Sequence, residues 1–268
     1  MIPSNPNLGS SIAVVGGFLF LLLLPFDQLL TPFGLNEFKM QYIGDILKNS
    51  VIIIGGIFLI IQFGYTKISG LTQFKPKHTI LVLIPLYFIL AGPAEYIVLG
   101  YQFDNVNPIN VLILFLAMMS VGFSEEIIFR GFVLPHLIKG AHSEQSLLAP
   151  IVLSAFMFGV LHFFNLFQTD SHFVTVLAQV IYATMFGVGF AIMLLRTGSI
   201  YPIGFLHGII NFASNWDDLP GTVITKEIAN FRTYEAIVSV LIVLPFFFYM
   251  LKQLPKIDRK SLMERYNT

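Results

Sequence analysis

Ser124-Glu125-Glu126-Ile127-Ile128-Phe129-Arg130 places two adjacent carboxylates and a guanidinium between the apolar runs Val111–Phe123 and Phe132–Ile138. Ionisable groups at membrane depth cost several kcal/mol, roughly 2.5–3.5 each on insertion scales, and persist where they are used. Glu126 and Arg130 stand four apart with the acid N-terminal, the favourable order for an ion pair on one helical face. Glu125 is turned about 100° away and is not needed for that pair. Two readings follow. In one, Glu126–Arg130 is a structural ion pair and Glu125 lies at a helix–helix contact. In the other, the pair holds the helix while Glu125 is free to act as a base, work that suits a desolvated carboxylate because it binds a proton more readily.

Two further clusters could join it. Phe158-Gly159-Val160-Leu161-His162 ends an apolar run on an imidazole, and Gly159 allows close helix approach. By itself, such a histidine is more often interfacial or hydrogen-bonded than catalytic. His207-Gly208-Ile209-Ile210-Asn211 sets an imidazole and a carboxamide four apart on one face. Both can donate hydrogen bonds, as an oxyanion hole requires; both can equally serve as polar glue between membrane helices.

These residues need helices to carry them, and composition supplies that. The 268 residues are 56% hydrophobic and only 11% charged, with 28 phenylalanines. A soluble domain carries about 25% charged residues, so the expected fold is all-α, a polytopic transmembrane bundle. Zero net charge leaves no basic surface for nucleic acid. The absence of cysteine excludes disulfides, thiol nucleophiles and thiolate metal sites. The N-terminus has no basic region ahead of its first apolar run and reads as an anchor rather than a cleaved signal.

At about 20 residues per span, hydropathy predicts eight: Ser11–Leu30, Ile46–Phe63, Thr79–Gly100, Ile109–Ile138, Leu147–Leu166, Phe173–Leu195, Ile200–Asn215 and Tyr234–Leu251. The three clusters fall on the fourth, fifth and seventh. The fourth is long enough to require a tilt or a break near Gly122 or Gly131. Pro25, Pro85 and Pro93 are tolerable where neighbours resatisfy the backbone. One integral membrane domain is expected, with N-terminal spans over 11–100, a core over 109–214, a last span over 234–251 and a basic tail over 252–268.

With both termini inside, the inner loops and tail hold ten Lys/Arg (Lys67, Lys75, Lys77, Lys139, Arg196, Lys252, Lys256, Arg259, Lys260, Arg265) against four outside (Lys39, Lys48, Lys226, Arg232). An even span number agrees, which predicts cytoplasmic termini and a tail on anionic headgroups. At 1.5 Å per residue, Glu125 lies about 21 Å from Lys139, His162 about 22 Å from Leu147 and His207 about 16 Å from Arg196. Three polar groups at comparable depth point to a shared site.

Other intramembrane chemistries lack their residues. There is no His-Glu-x-x-His, no Gly-x-Ser-x-Gly, and no Asp after Gly187-Val188-Gly189. Ser124 has no His–Asp relay spaced to activate it.

The ordered set Glu-Glu-x-x-x-Arg, Phe-x-x-x-His, His-x-x-x-Asn resembles the signature of the CaaX-processing and bacteriocin-processing (CPBP, or Abi) membrane proteins, relatives of the Ras-converting prenyl endopeptidase. Phe129-Arg130-Gly131 and Arg196-Thr197-Gly198-Ser199 are also similar to that family, and the resemblance runs from about Ile109 to Ser214. It implies a glutamate-dependent intramembrane endopeptidase in which Glu125 activates water with help from His162. His207 and Asn211 would stabilise the oxyanion, while Glu126, Arg130 and Phe158 would support the site. The substrate would be a peptide or protein, prenylated or membrane-embedded, met within the lipid bilayer. No cofactor is expected, although a zinc version with Glu125, His162 and His207 as ligands remains open. The competing class is non-hydrolytic: a bacteriocin-immunity factor or scaffold. A carrier would show inverted repeats, and none is visible. Substrate identity and oligomeric state are not written in the sequence.

Overall fold

The computed structural model describes residues 7–73, 77–103, 105–141, 147–167, 172–226 and 231–266. Lys75 of the charge count and residues 267–268 of the tail lie outside the described residues. The architecture is all-helical, and its one β feature among the described residues is a single antiparallel bridge, Gln102 to Val223.

Helix α1 (Leu8–Leu22) stops short of Pro25 and gives way to a 3₁₀ segment, Phe26–Phe33, closed by Gly34 in the left-handed region at φ 62°. Helix α2 (Glu37–Gln62) is capped by Asn36, whose Oδ1 accepts from Lys39 N at 3.0 Å. The third span is broken: α3 (Ile80–Leu83), a 3₁₀ stretch (Ile84–Leu90) carrying Pro85, then α4 (Ala91–Leu99) carrying Pro93. Each proline removes a backbone donor and clashes with the turn before it, so tighter turns replace the α-helix there.

Helix α5 (Pro108–Glu126) starts on an Asn107 cap with proline just inside, and runs into a π-helical segment, Ile127–Val133, then α6 (Leu134–Gly140). The expected break in this span therefore takes the form of a π segment containing Gly131, while Gly122 lies in regular helix. Helices α7 (Leu148–Leu161) and α8 (Phe173–Thr197) follow, then α9 (Tyr201–Ala213), α10 (Phe231–Leu251) and the tail helix α11 (Arg259–Glu264).

Seven stretches among the described residues are long and apolar enough to cross a membrane: Leu8–Phe33, Glu37–Gln62, Ile80–Leu99, Pro108–Gly140, Leu148–Phe167, Phe173–Thr197 and Arg232–Lys256. The expected eighth, Ile200–Asn215, is corrected. Its helix α9 has 13 residues, about 20 Å of rise against a hydrocarbon thickness of about 30 Å. The apolar run looked long enough because hydropathy does not register where the helix starts and stops.

Arg196 at the end of α8 donates to the Lys256 carbonyl beyond α10, so these two helices finish at the same end and α9 with its following loop carries the chain back between them. Residues 7 and 266 also lie there. Asn7 Nδ2 donates to the His136 carbonyl at 2.8 Å and Tyr266 Oη donates to the Pro135 carbonyl at 2.6 Å. The tail packs onto the bundle through buried Ile257 and Leu262, with Lys252, Lys256, Arg259 and Lys260 exposed.

In the apolar window of α8, 61% of residues are buried, and in that of Pro108–Gly140, 44%, against 17% for the first span. These two are the inner helices. The outer ones expose Phe20, Ile54, Phe58, Ile97, Phe156 and Phe248, an apolar surface suited to hydrocarbon.

Candidate active site

The site is organised by a crossing of α5 and α9 that only glycine permits. A Cβ on Gly122 would collide with the Gly208 backbone nitrogen, and one on Gly208 would lie 2.8 Å from Met119 Cα. Small residues let membrane helices approach backbone to backbone. Glu125 and Glu126 follow Gly122 by three and four residues, on the same helical face. His207 adjoins Gly208, so the crossing delivers its ring to both carboxylates.

His207 Nδ1 lies 2.9 Å from Glu126 Oε1 and Nε2 lies 3.4 Å from Glu125 Oε2. The first is a full hydrogen bond; the second is longer than the usual 2.7–3.2 Å range. Glu126 is completely buried, whereas the Glu125 and His207 side chains retain 17% and 12% exposure. The chain thus separates an anchoring acid from an accessible one.

Arg130 Nη1 sits 3.2 Å from Glu126 Oε1, and both side chains are buried. The guanidinium lies over the Phe158 ring at 4.5 Å and within 6.0 Å of Phe190, so aromatic faces cover a cation whose outer nitrogens have no hydrogen-bond partner among the described residues. The π segment begins directly after Glu126. In it, the Leu134 amide reaches back to the Phe129 carbonyl, which also accepts Ser154 Oγ at 3.1 Å. Such wide turns recur at functional sites because they re-aim side chains within a helix.

Phe158 links the clusters: its ring meets His162 edge-on at 5.1 Å, His207 at 6.1 Å and Phe129 at 5.2 Å. Gly159 holds α7 against α8, since a Cβ there would strike Thr184 and lie 2.8 Å from the Val180 carbonyl. His162 Nδ1 donates to the Phe158 carbonyl at 3.3 Å, and its ring is within electrostatic reach of Glu125 and His207. Ser124 is buried and donates to Asn49 Oδ1 on α2 at 2.7 Å. Its hydroxyl is thereby committed to a helix contact.

A cavity of about 650 Å³ opens beside this constellation, lined by His162, His207, Asn211, Phe158, Phe190 and Gln179 together with the acids Glu95, Asp217 and Glu235. All the sequence-predicted residues therefore fall in one neighbourhood: Arg130, Glu126, His207 and Glu125 in contact as a chain in that order, Phe158 beside Arg130 and His207, and His162 and Asn211 lining the same cavity as His207. Asn49, Gln179 and its partner Asn165 were not anticipated. Their one sequence signal is a polar side chain inside an apolar run.

Among the described residues, no three His, Asp or Glu side chains are gathered as metal ligands. Both ring nitrogens of His207 already face carboxylates, so Glu125, His162 and His207 do not fit the zinc set in this arrangement.

A multipass helical protein with a carboxylate–histidine–arginine cluster whose histidine lines a cavity is thereby defined. Residues 107–213 match the family model described as Rce1-like: Type II CAAX prenyl endopeptidase Rce1-like, and over that segment the chain is a domain of this protease family. Neither the curated proteins nor the solved structures compared with the chain gave a match. The matched segment spans α5 to α9 and contains every residue of the cluster; α1–α4, α10 and the tail lie outside it.

Proposed function

We propose that this protein is an intramembrane endopeptidase that hydrolyses a peptide bond near a lipidated or membrane-associated C-terminus, with water activated by Glu125. The observation that carries this reading is His207 held between Glu125 and Glu126 at the wall of a cavity it shares with His162 and Asn211.

Glu125 takes a proton from water as the water oxygen bonds to the scissile carbonyl carbon; His162 orients that water. The carbonyl electron pair moves onto oxygen, where His207 Nε2–H and the Asn211 carboxamide donate to it. Before the reaction, Glu125 is the carboxylate that faces Nε2. Glu126 anchors Nδ1. As Glu125 is protonated its hold on Nε2–H weakens, while the growing oxyanion replaces it. Collapse breaks the C–N bond, and Glu125 returns its proton to the departing amine. Arg130 and Phe158 keep Glu126 in place.

Facing the end where residues 7 and 266 meet to the cytoplasm gives the orientation favoured by the Lys/Arg count. The decisive test is cleavage of quenched fluorescent peptides, farnesylated and plain, by wild type and Glu125→Gln in detergent, each with and without chelator. Cleavage that survives chelation and is lost in the variant supports the reading. Equal activity of variant and wild type overturns it, and a folded wild type that cuts nothing shifts weight to an immunity or scaffold role.

A further inference from the structure

Besides the groups assigned to the reaction, the cavity is lined by Gln179, from the second turn of α8. Gln179 Oε1 accepts a hydrogen bond from Asn165 Nδ2 at 2.8 Å. Asn165 stands three residues after His162 in the 3₁₀ segment His162–Phe167. In a 3₁₀ helix residues i and i+3 eclipse, so the turn that presents His162 presents Asn165 on the same edge. A carboxamide offers an acceptor at one end and two N–H donors at the other. Asn165 occupies the acceptor end, and the donor end is what remains for a ligand.

The surroundings select the acceptor that these donors take. Glu95, Asp217 and Glu235 line the same cavity, and no lysine or arginine does among the described residues. A carboxylate entering here meets like charge, which disfavours it; an uncharged amide carbonyl takes the same hydrogen bond without that penalty. We propose that Gln179 binds a backbone carbonyl of the substrate peptide and that Asn165 is a positioning residue, fixing which end of the Gln179 amide faces the cavity. This rests on the endopeptidase reading above and adds a peptide-docking contact to it.

The test uses the whole protein in detergent and a fluorescent farnesylated peptide. Cleavage is followed with the active protein, and binding by anisotropy in the Glu125→Gln background. Gln179→Met keeps length and volume but has no amide; it is expected to raise KM and Kd about tenfold with kcat within about twofold. Asp at 165 can only accept, so Asn165→Asp turns the Gln179 N–H groups away from the cavity and raises KM by a similar factor. In the Gln179→Met background it then adds less than about twofold. The Gln179→Met factor is expected to be equal for the C-terminal acid and its amide.

A Gln179→Met protein that binds like its parent overturns the proposal, because packing alone is restored by methionine. Additive effects of the two substitutions, an effect confined to the C-terminal acid, or no binding by the Glu125→Gln protein overturn it as well. Gln179-dependent binding by a wild type that cuts nothing leaves the docking contact standing and removes the endopeptidase reading.

Discussion

Two histidines in this molecule sit in similar aromatic surroundings and meet opposite partners. His207 lies among Phe158 and Phe190, with a carboxylate facing each ring nitrogen and a cavity alongside. His136 lies among Phe63, Phe132 and Tyr65, with neutral hydroxyls on both nitrogens: Tyr65 Oη at 2.7 Å from Nδ1 and Ser10 Oγ at 2.7 Å from Nε2. His136 is 5% exposed and sealed by the N-terminal helix and the tail. An imidazole with neutral partners on both sides has nothing left to offer a substrate. One held by a buried acid and loosely met by an accessible one has a donor to release. On the proposed reading, the difference separates a pin from a working group.

The largest expected effect sharpens that contrast. Glu125→Gln should lower kcat by a factor on the order of 10²–10⁴, the usual worth of a positioned base, without altering the thermal unfolding midpoint. His207→Ala should cost kcat about 10²–10³-fold, whereas His136→Ala should leave kcat of the folded fraction intact and lower stability by about 1–3 kcal/mol, because the buried Tyr65 hydroxyl loses its partner. A His136→Ala protein that keeps its midpoint but loses turnover would break the comparison.

Glu126→Gln should destabilise by about 3–5 kcal/mol, the usual result of leaving one partner of a buried ion pair uncompensated. Replacing both Glu126 and Arg130 by neutral residues should recover much of that stability and none of the activity. Unfolding curves and turnover measured on the same preparations separate the two.

Gly208→Ala probes the crossing itself. With Met119 Cα 2.8 Å from the added Cβ, α9 must shift away from α5, and a displacement approaching 1 Å is expected to cost about 10²-fold in turnover.

The smallest effect belongs to the sealed histidine. Tyr65→Phe should lower stability by about 1 kcal/mol with cleavage unchanged. Burial pushes the Tyr65 phenol up to about 12 from its ordinary value of 10.0. Ionisation is thus harder in the folded chain, so the contribution of Tyr65 is intact below about pH 10 and is lost as pH rises toward 12. Tyr65→Phe should flatten that part of the alkaline stability curve.

Much of the site was legible from the chain. Glu125, Glu126, Arg130, His162, His207 and Asn211 are ionisable or polar residues in apolar helices, where their cost makes them visible, and counting rise from the loops put three of them at one depth. The Glu126–Arg130 pair followed from four-residue spacing. The span count did not follow, because α9 is apolar enough to cross but too short, and helix ends depend on local turns rather than on mean hydropathy. The packing of the tail through Ile257, Leu262 and Tyr266 did not follow either, since apolar residues at irregular spacing give no periodic signal; its basic side chains Lys252, Lys256, Arg259 and Lys260 stay exposed.

The sequence by itself determined an all-helical membrane protein, its inventory of reactive groups and the order in which they occur, because hydropathy and helical spacing are local properties. Only the tertiary structure decided which acid anchors His207 and which stays accessible, that a π segment begins just after the acid pair, and that Asn165 turns the Gln179 amide. Those choices depend on where backbones can touch, and here they touch at Gly122 and Gly208. A glycine's part in a crossing is fixed by the helix that packs against it, which its own neighbours in sequence do not specify.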